Sequence, residues 1–180
     1  MINFAIAPAS LHHLRRRLLA AGPGLAAEVM QDAGIATGEA LSAAWAARVK
    51  QRTGLTDPAR LDASWFGEIF SELCREVGWG LITVDRVADR ALLFSSRDWR
   101  EAESGESAHP GCYFTCGCLA AFLTAQAGAA LAVLEVECRS SGAEQCRFLA
   151  GSTATLGTIY DLIAAGGLWR EAFQPGELPA

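Results

Sequence analysis

Cys112, Glu135, Cys138 and Cys146 are the residues of this chain best suited to chemistry, with spacing C-x22-E-x2-C-x7-C. Three soft thiolates and one carboxylate suit a closed tetrahedral zinc site. A closed site leaves no position for a reacting water, so it holds a fold together and does not cleave bonds. Cys138 and Cys146 would face each other across a hairpin turning at Ser140–Gly142. Glu135 and Cys138 are three apart, so in a regular strand they point to opposite faces. Both reach one metal only if the strand bulges near Glu137. Cys112 would come from the start of a helix, so a metal here ties helix to hairpin. Arg139 and Arg147 are placed to balance the negative charge.

Other chemistry is sparse. Cys116 lies one turn beyond Cys112 on the same helical face. It is a candidate pocket wall, spare ligand or attachment point, although a buried cysteine is most often a small hydrophobe. Cys118 and Cys74 read the same way, Cys74 as core. His12, His13 and His109 lack ligand-spaced partners. No Ser/His/Asp arrangement, phosphate-binding glycine loop or nucleotide fingerprint is present, so no catalytic residue is assigned.

Three helices precede the site. Residues 8–21 form one, with Leu11, Leu14, Leu18 and Leu19 on one side and Arg15–Arg17 as a solvated face. Residues 24–50 form the second, with Leu25, Val29, Ala33, Ala36, Ala40, Ala44 and Ala47 recurring about every fourth residue. Gly34 and Gly38 on it allow another backbone to come close, either within the chain or across a dimer. Residues 62–77 form an amphipathic helix capped by Asp62 or Ser64. Two strands follow, 81–84 and 91–94, around a turn at 85–90. Residues 97–111 read as a polar loop with Glu101, Glu103 and Glu106 in solvent. Residues 112–127 are apolar nearly all round and should be buried. Strand 131–138, its partner 146–150 and a final helix from Thr153 or Thr155 complete the order. Trp169, Phe173, Pro175 and Pro179 mark a tail.

The bulk numbers bound the function. With 180 residues and 51% apolar content, one full core is possible, with residues 1–60 as a helical arm and expected dimer interface and 61–180 as the body. Net charge is −5, and residues 61–180 hold 8 Lys/Arg against 16 Asp/Glu. A nucleic-acid surface would be basic. No apolar run is long enough to span a membrane. The N-terminus lacks a signal-peptide layout, which places the chain in the cytoplasm, where clustered cysteines favour metal over disulfides.

The runs Cys112-Tyr-Phe-Thr and Glu135-Val-Glu-Cys-Arg-Ser-Ser-Gly-Ala-Glu-Gln-Cys-Arg-Phe148 resemble the 4-vinyl reductase domain family. The element order is similar too, over residues 11–165. The resemblance implies an α+β fold: an antiparallel sheet of about four strands packed on helices, similar to vesicle-tethering subunits and forming a homodimer. It implies structural zinc at Cys112, Glu135, Cys138 and Cys146, beside an apolar pocket. We expect that pocket between helix 62–77, strands 81–94 and helix 112–127, with Phe66, Phe70, Trp79, Phe94, Cys116 and Phe122 as walls. The family's phenol sensors hold the ligand hydroxyl with a histidine and a tryptophan. This chain has no histidine between His13 and His109, so phenol is not its expected ligand. The implied function is binding of a hydrophobic or aromatic small molecule, as a stand-alone sensor or carrier with a separate output protein. The rival expectations are a bacteriochlorophyll-biosynthesis 4-vinyl reductase-like protein or chlorin carrier, and an assembly subunit with no ligand.

Overall fold

The computed structural model describes residues 8–105 and 107–174; Glu106, Pro175 and Pro179 lie outside them. Five helices and four strands run in the order α1 (Pro8–Ala21), α2 (Pro23–Thr53), α3 (Ala63–Glu76), β1 (Thr83–Val87), β2 (Ala91–Ser96), α4 (Tyr113–Ala127), β3 (Ala132–Glu137), β4 (Cys146–Gly151) and α5 (Thr153–Ala164). The sheet is antiparallel throughout, in the order β1-β2-β4-β3. The fold is the mixed α+β arrangement that the pattern of elements predicts.

Strand alternation makes two cores. Phe94 and Phe148 point to one face, where they meet Trp45 of α2, Ile69 and Phe70 of α3 and Phe122 of α4. Leu93 and Leu149 point to the other, under Leu156 and Ile159 of α5 and the C-terminal Trp169 and Phe173. Each core side chain is nearly or fully buried. At about 25 cal/mol per Å² of apolar area removed from water, these faces supply the main drive to fold.

Helix ends follow their sequence signals. Asp62 Oδ1 accepts from Ser64 N at 2.9 Å to start α3, and Ser152 Oγ accepts from Thr155 N at 3.1 Å to start α5. Gly54 and Gly128 end α2 and α4 in left-handed conformations, φ 78° and 64°, where a side chain would be strained.

The first hairpin differs from expectation. Its first strand is shifted toward the C-terminus, to Thr83–Val87, and pairs down to Val87↔Ala91. Asp85 and Arg86 are tolerated in β1 because it is a sheet edge with solvent on one side. The turn is correspondingly tight: three residues, Ala88–Arg90, with Arg90 N donating to the Val87 carbonyl at 3.0 Å and Ala88 and Asp89 both in the left-handed region at φ 51°.

Gly34 and Gly38 do not form an outward dimer face. They are buried against α4. A Cβ on Gly34 would collide with the carbonyl oxygen of Phe114, and one on Gly38 would lie 2.5 Å from that of Cys118. Gly117 of α4 returns the contact against the Gln31 carbonyl. The closeness of the two backbones explains the glycines. The stripe from Leu25 and Val29 through Ala36, Ala40 and Ala47 instead faces solvent. So α2 is apolar on both sides, with only the Ala26–Met30–Leu41–Trp45–Val49 side covered.

Candidate metal centre and neighbouring cleft

Local geometry brings the four ligand candidates together. β3 pairs regularly with β4 up to Glu135↔Phe148, then the register shifts to Glu137↔Arg147. Val136 is therefore extra, and the bulge turns Glu135 and Cys138 toward the same side. A short 3-10 turn over Arg139–Ser141, closed by Gly142 at φ 95°, brings the chain back to Cys146 at the start of β4. Cys112 is the N-cap of α4. One ligand atom from each of Cys112, Glu135, Cys138 and Cys146 lies within 4.8 Å of all the others, and all four residues are buried.

Two details test whether a metal fits. Cys112 Sγ and Cys138 Sγ are 3.7 Å apart. Tetrahedral zinc with bonds of about 2.3 Å sets its sulfurs at roughly 3.8 Å. Glu135 Oε2 accepts from the Cys112 amide at 2.7 Å, while Oε1 is buried with no hydrogen-bond partner among the described residues. A buried carboxylate oxygen without a partner, on a side chain grouped with three cysteines, is costly unless a cation satisfies it. The donor set and the spacing fit a borderline-soft divalent ion.

The cluster's protonation carries the same tension. Burial first, then the neighbouring Cys138 and Cys146 thiols, pushes the Cys112 thiol well up. Burial and the charge of Cys138 raise the Glu135 carboxyl. Hydrogen bonds from Cys112 and then Cys146 hold Cys138 far below its ordinary value. Without a cation, one thiolate is therefore shared among protonated neighbours.

The charge around the cluster is arranged differently from expectation. Arg147 pairs with Glu137 at 2.8 Å, and Arg139 donates to the Trp99 carbonyl at 3.4 Å. The buried guanidinium is that of Arg15, expected in solvent on α1 but only 1% exposed. Its Nε donates to the Gly111 carbonyl and its Nη1 to Ser140 Oγ, both at 3.3 Å. It thus binds the two segments that carry Cys112 and Cys138. Nothing in the sequence separates Arg15 from Arg16 and Arg17 except that it follows Leu11 by one helical turn.

Glu101, also expected in solvent, is 2% exposed. Its carboxylate accepts from the Phe114 and Thr115 amides at 3.1 and 2.8 Å and from the Thr115 hydroxyl at 2.6 Å. A carboxylate at a helix N-terminus satisfies donors that have no intrahelical partner and suits the helix dipole. Trp99 Nε1 donates to Thr115 Oγ1 at 2.7 Å, which locks the loop before α4 against the helix it starts.

The residues expected to wall a pocket separate. Phe70, Phe94 and Phe122 are fully buried. Phe66 and Phe70 stack at 5.5 Å between ring centroids, Phe70 and Phe122 at 5.2 Å, and Phe94 meets Phe70 edge-on at 5.7 Å. Trp45 closes the group from α2. Aromatic rings fill the space between α3, β2 and α4, while a groove of about 480 Å³ opens between α3 and β1, with Phe66, Gly67, Val84 and Leu92 in its lining. Trp79 sits apart, edge-on to Trp99 at 5.9 Å, beside a cavity of only about 30 Å³.

Cys116 faces different space. A cleft of about 590 Å³ opens beside the metal cluster, between the start of α4, the edge strand β3 and α5. Cys112 and Glu135 form its floor, Cys116, Val133 and Ile163 its apolar walls. Burial pushes the Cys116 thiol well up, so it stays protonated and is a poor nucleophile at neutral pH. Sequence reading missed this cleft because its far wall, Tyr160–Ala164, lies on a helix that packs on the opposite face of the sheet.

Comparison with known proteins agrees with this architecture. No curated protein matches the chain. A solved structure described as the phenol-responsive sensory domain of the transcription activator PoxR, with phenol, has a similar fold. Its TM-score is 0.60 at 20% identity, over 96% of this chain and 84% of that one. The 4-vinyl reductase (V-4-R) domain family matches residues 97–152, the stretch from the loop before α4 through β4 that contains all four metal-ligand candidates. The resemblance read from the cysteine runs therefore holds: residues 97–152 match the 4-vinyl reductase domain family, on a fold similar to that of a sensory domain.

Proposed function

We propose that this protein is a zinc-stabilised small-molecule-sensing domain that acts by binding a hydrophobic or aromatic ligand. The observation that carries the reading is the buried Cys112–Glu135–Cys138–Cys146 cluster, two of whose members, Cys112 and Glu135, line a cleft of about 590 Å³. That volume lies within the range of about 300–1,000 Å³ common for small-molecule sites. The likeness to a phenol-responsive sensory domain supports a sensing role. Zinc would be held by the three thiolates and Glu135 Oε1, and when bound it would cross-link α4 to the β3–β4 hairpin. Ligand in the cleft would then lie against two metal-bound side chains, so binding and the geometry of the hairpin are coupled.

Native mass spectrometry of the protein purified from its own host tests the reading. One zinc per chain with a co-purifying small molecule supports it; no metal and no ligand from gently purified protein overturns it.

A second reading, an assembly subunit without ligand, is favoured by the aromatic filling between α3, β2 and α4. Self-association is part of both readings. The uncovered side of α2, with Leu25 47% and Val29 40% exposed, is the surface we assign to a homodimer. A long helix apolar on both sides is stable when both are covered.

A further inference from the structure

The cleft beside the metal cluster restricts the ligand by charge and by size. Among the described residues no lysine or arginine lines it. Its one ionisable carboxylate, Glu135, faces three cysteines. A divalent ion held by three thiolates and a carboxylate would leave the cluster with two negative charges, against which the buried Arg15, behind Gly111, returns one positive charge. The floor is therefore net negative and repels an organic anion at short range in low dielectric.

The walls select for something else. Val133, Cys116 and Ile163 are apolar, and the polar groups around them are the Gln31 amide, the Tyr113 and Tyr160 hydroxyls and the His109 imidazole in the loop before Cys112. A pocket with an apolar lining, a carboxylate on its floor and a few scattered donors and acceptors suits a ligand that carries hydroxyl or carbonyl groups and no negative charge. A single phenol ring would leave most of 590 Å³ unfilled, which forfeits the contacts that give affinity.

We propose that this cleft, and not the aromatic core between α3 and α4, is the ligand site, and that it takes neutral multi-ring or extended hydrophobic molecules and rejects anions of the same skeleton. The proposal rests on the reading of the protein as a small-molecule binder and adds the place and the class of the ligand.

A matched probe pair tests it on the zinc-loaded full chain. N-phenyl-1-naphthylamine is neutral, and 8-anilino-1-naphthalenesulfonate is the same skeleton with a sulfonate. In fluorescence titrations the neutral probe is expected to bind at least tenfold tighter. Millimolar phenol should not displace it. Ala164→Trp, which projects into the cleft from an exposed position at the end of α5, should weaken it at least tenfold. Gln31→Trp does the same from the opposite wall, which guards against misfolding of the first variant. Equal or tighter binding of the sulfonate, displacement by phenol, or unchanged binding in both folded variants overturns the proposal. If the neutral probe still binds both tryptophan variants but is lost in Phe66→Trp, the ligand lies in the aromatic core: the site assigned here falls and the binding function stands. If the neutral probe does not bind the wild type, the proposal falls, and native mass spectrometry of the host-purified protein then decides the binding function separately.

Discussion

The Cys112 amide holds Glu135 by one oxygen, at 2.7 Å from Oε2, and leaves Oε1 buried with no hydrogen-bond partner among the described residues. The carboxylate is thereby pre-oriented for one metal bond. The N-cap that starts α4 and the ligand from the edge strand β3 become one unit.

Removing that ligand should loosen the metal without removing the hydrogen bond. Glu135→Gln keeps an acceptor for the Cys112 amide but offers the ion no charge. We expect zinc affinity to fall at least tenfold, read by competition with a chromophoric chelator. Cys138→Ala should go further and leave the chain largely unfolded or aggregated by circular dichroism and light scattering, because metal-binding energy at such sites is folding energy. A Cys138→Ala protein with wild-type melting temperature would refute the structural role.

Glu101 gives the stability a pH dependence. Burial raises its carboxyl to about 7, against the hydrogen bonds of Thr115 and Phe114 and the charge of Arg15, which pull it down. The folded state therefore holds this proton more tightly than the unfolded chain, where the value is about 4.3. Its contribution is full below about pH 4.3 and is lost as pH rises through 7, on the order of 3 kcal/mol in all. Thermal melts should show wild type losing stability between pH 5 and 7 relative to Glu101→Gln, with the difference flat above about pH 8.

Gly34→Ala tests the helix crossing. The new methyl would meet the Phe114 carbonyl and lie 2.9 Å from the Cys118 amide nitrogen, both backbone atoms that cannot rotate away. Overpacking of this kind costs about 1–3 kcal/mol, readable as a lower urea midpoint. Gly157→Ala on α5, where nothing lies within 4 Å, should be neutral or stabilising, since alanine is the better helix former.

The outer side of α2 should mediate self-association. Multi-angle light scattering at tens of micromolar is expected to give a dimer, and Val29→Asp a monomer with unchanged zinc content. A monomeric wild type under those conditions rules this surface out.

Arg15 and Val29 mark the limit of what local sequence can say about a helix. Arg15 looks like the centre of a solvated basic cluster, yet it is buried because Gly111 and Ser140, 96 and 125 residues away, are brought to it. Val29 lies on the most regular apolar stripe of α2, yet it is exposed, because the glycines on the other side admit α4 more closely. The four strands and five helices were legible, since period and capping are local properties. So was the ligand set, because three cysteines and a glutamate around one hairpin carry their own chemistry, and the need for a bulge followed from the spacing of Glu135 and Cys138. What the tertiary structure decided was the filling of space. Phe66, Phe70, Phe94 and Phe122 read equally well as pocket wall or as core; in the fold Phe70, Phe94 and Phe122 are fully buried, and Phe66 stacks on Phe70 while also lining the groove beside β1. A cleft opens at the edge of β3, where α4 and α5 approach from opposite faces of the sheet without meeting, and no residue pattern along the chain encodes a gap between elements.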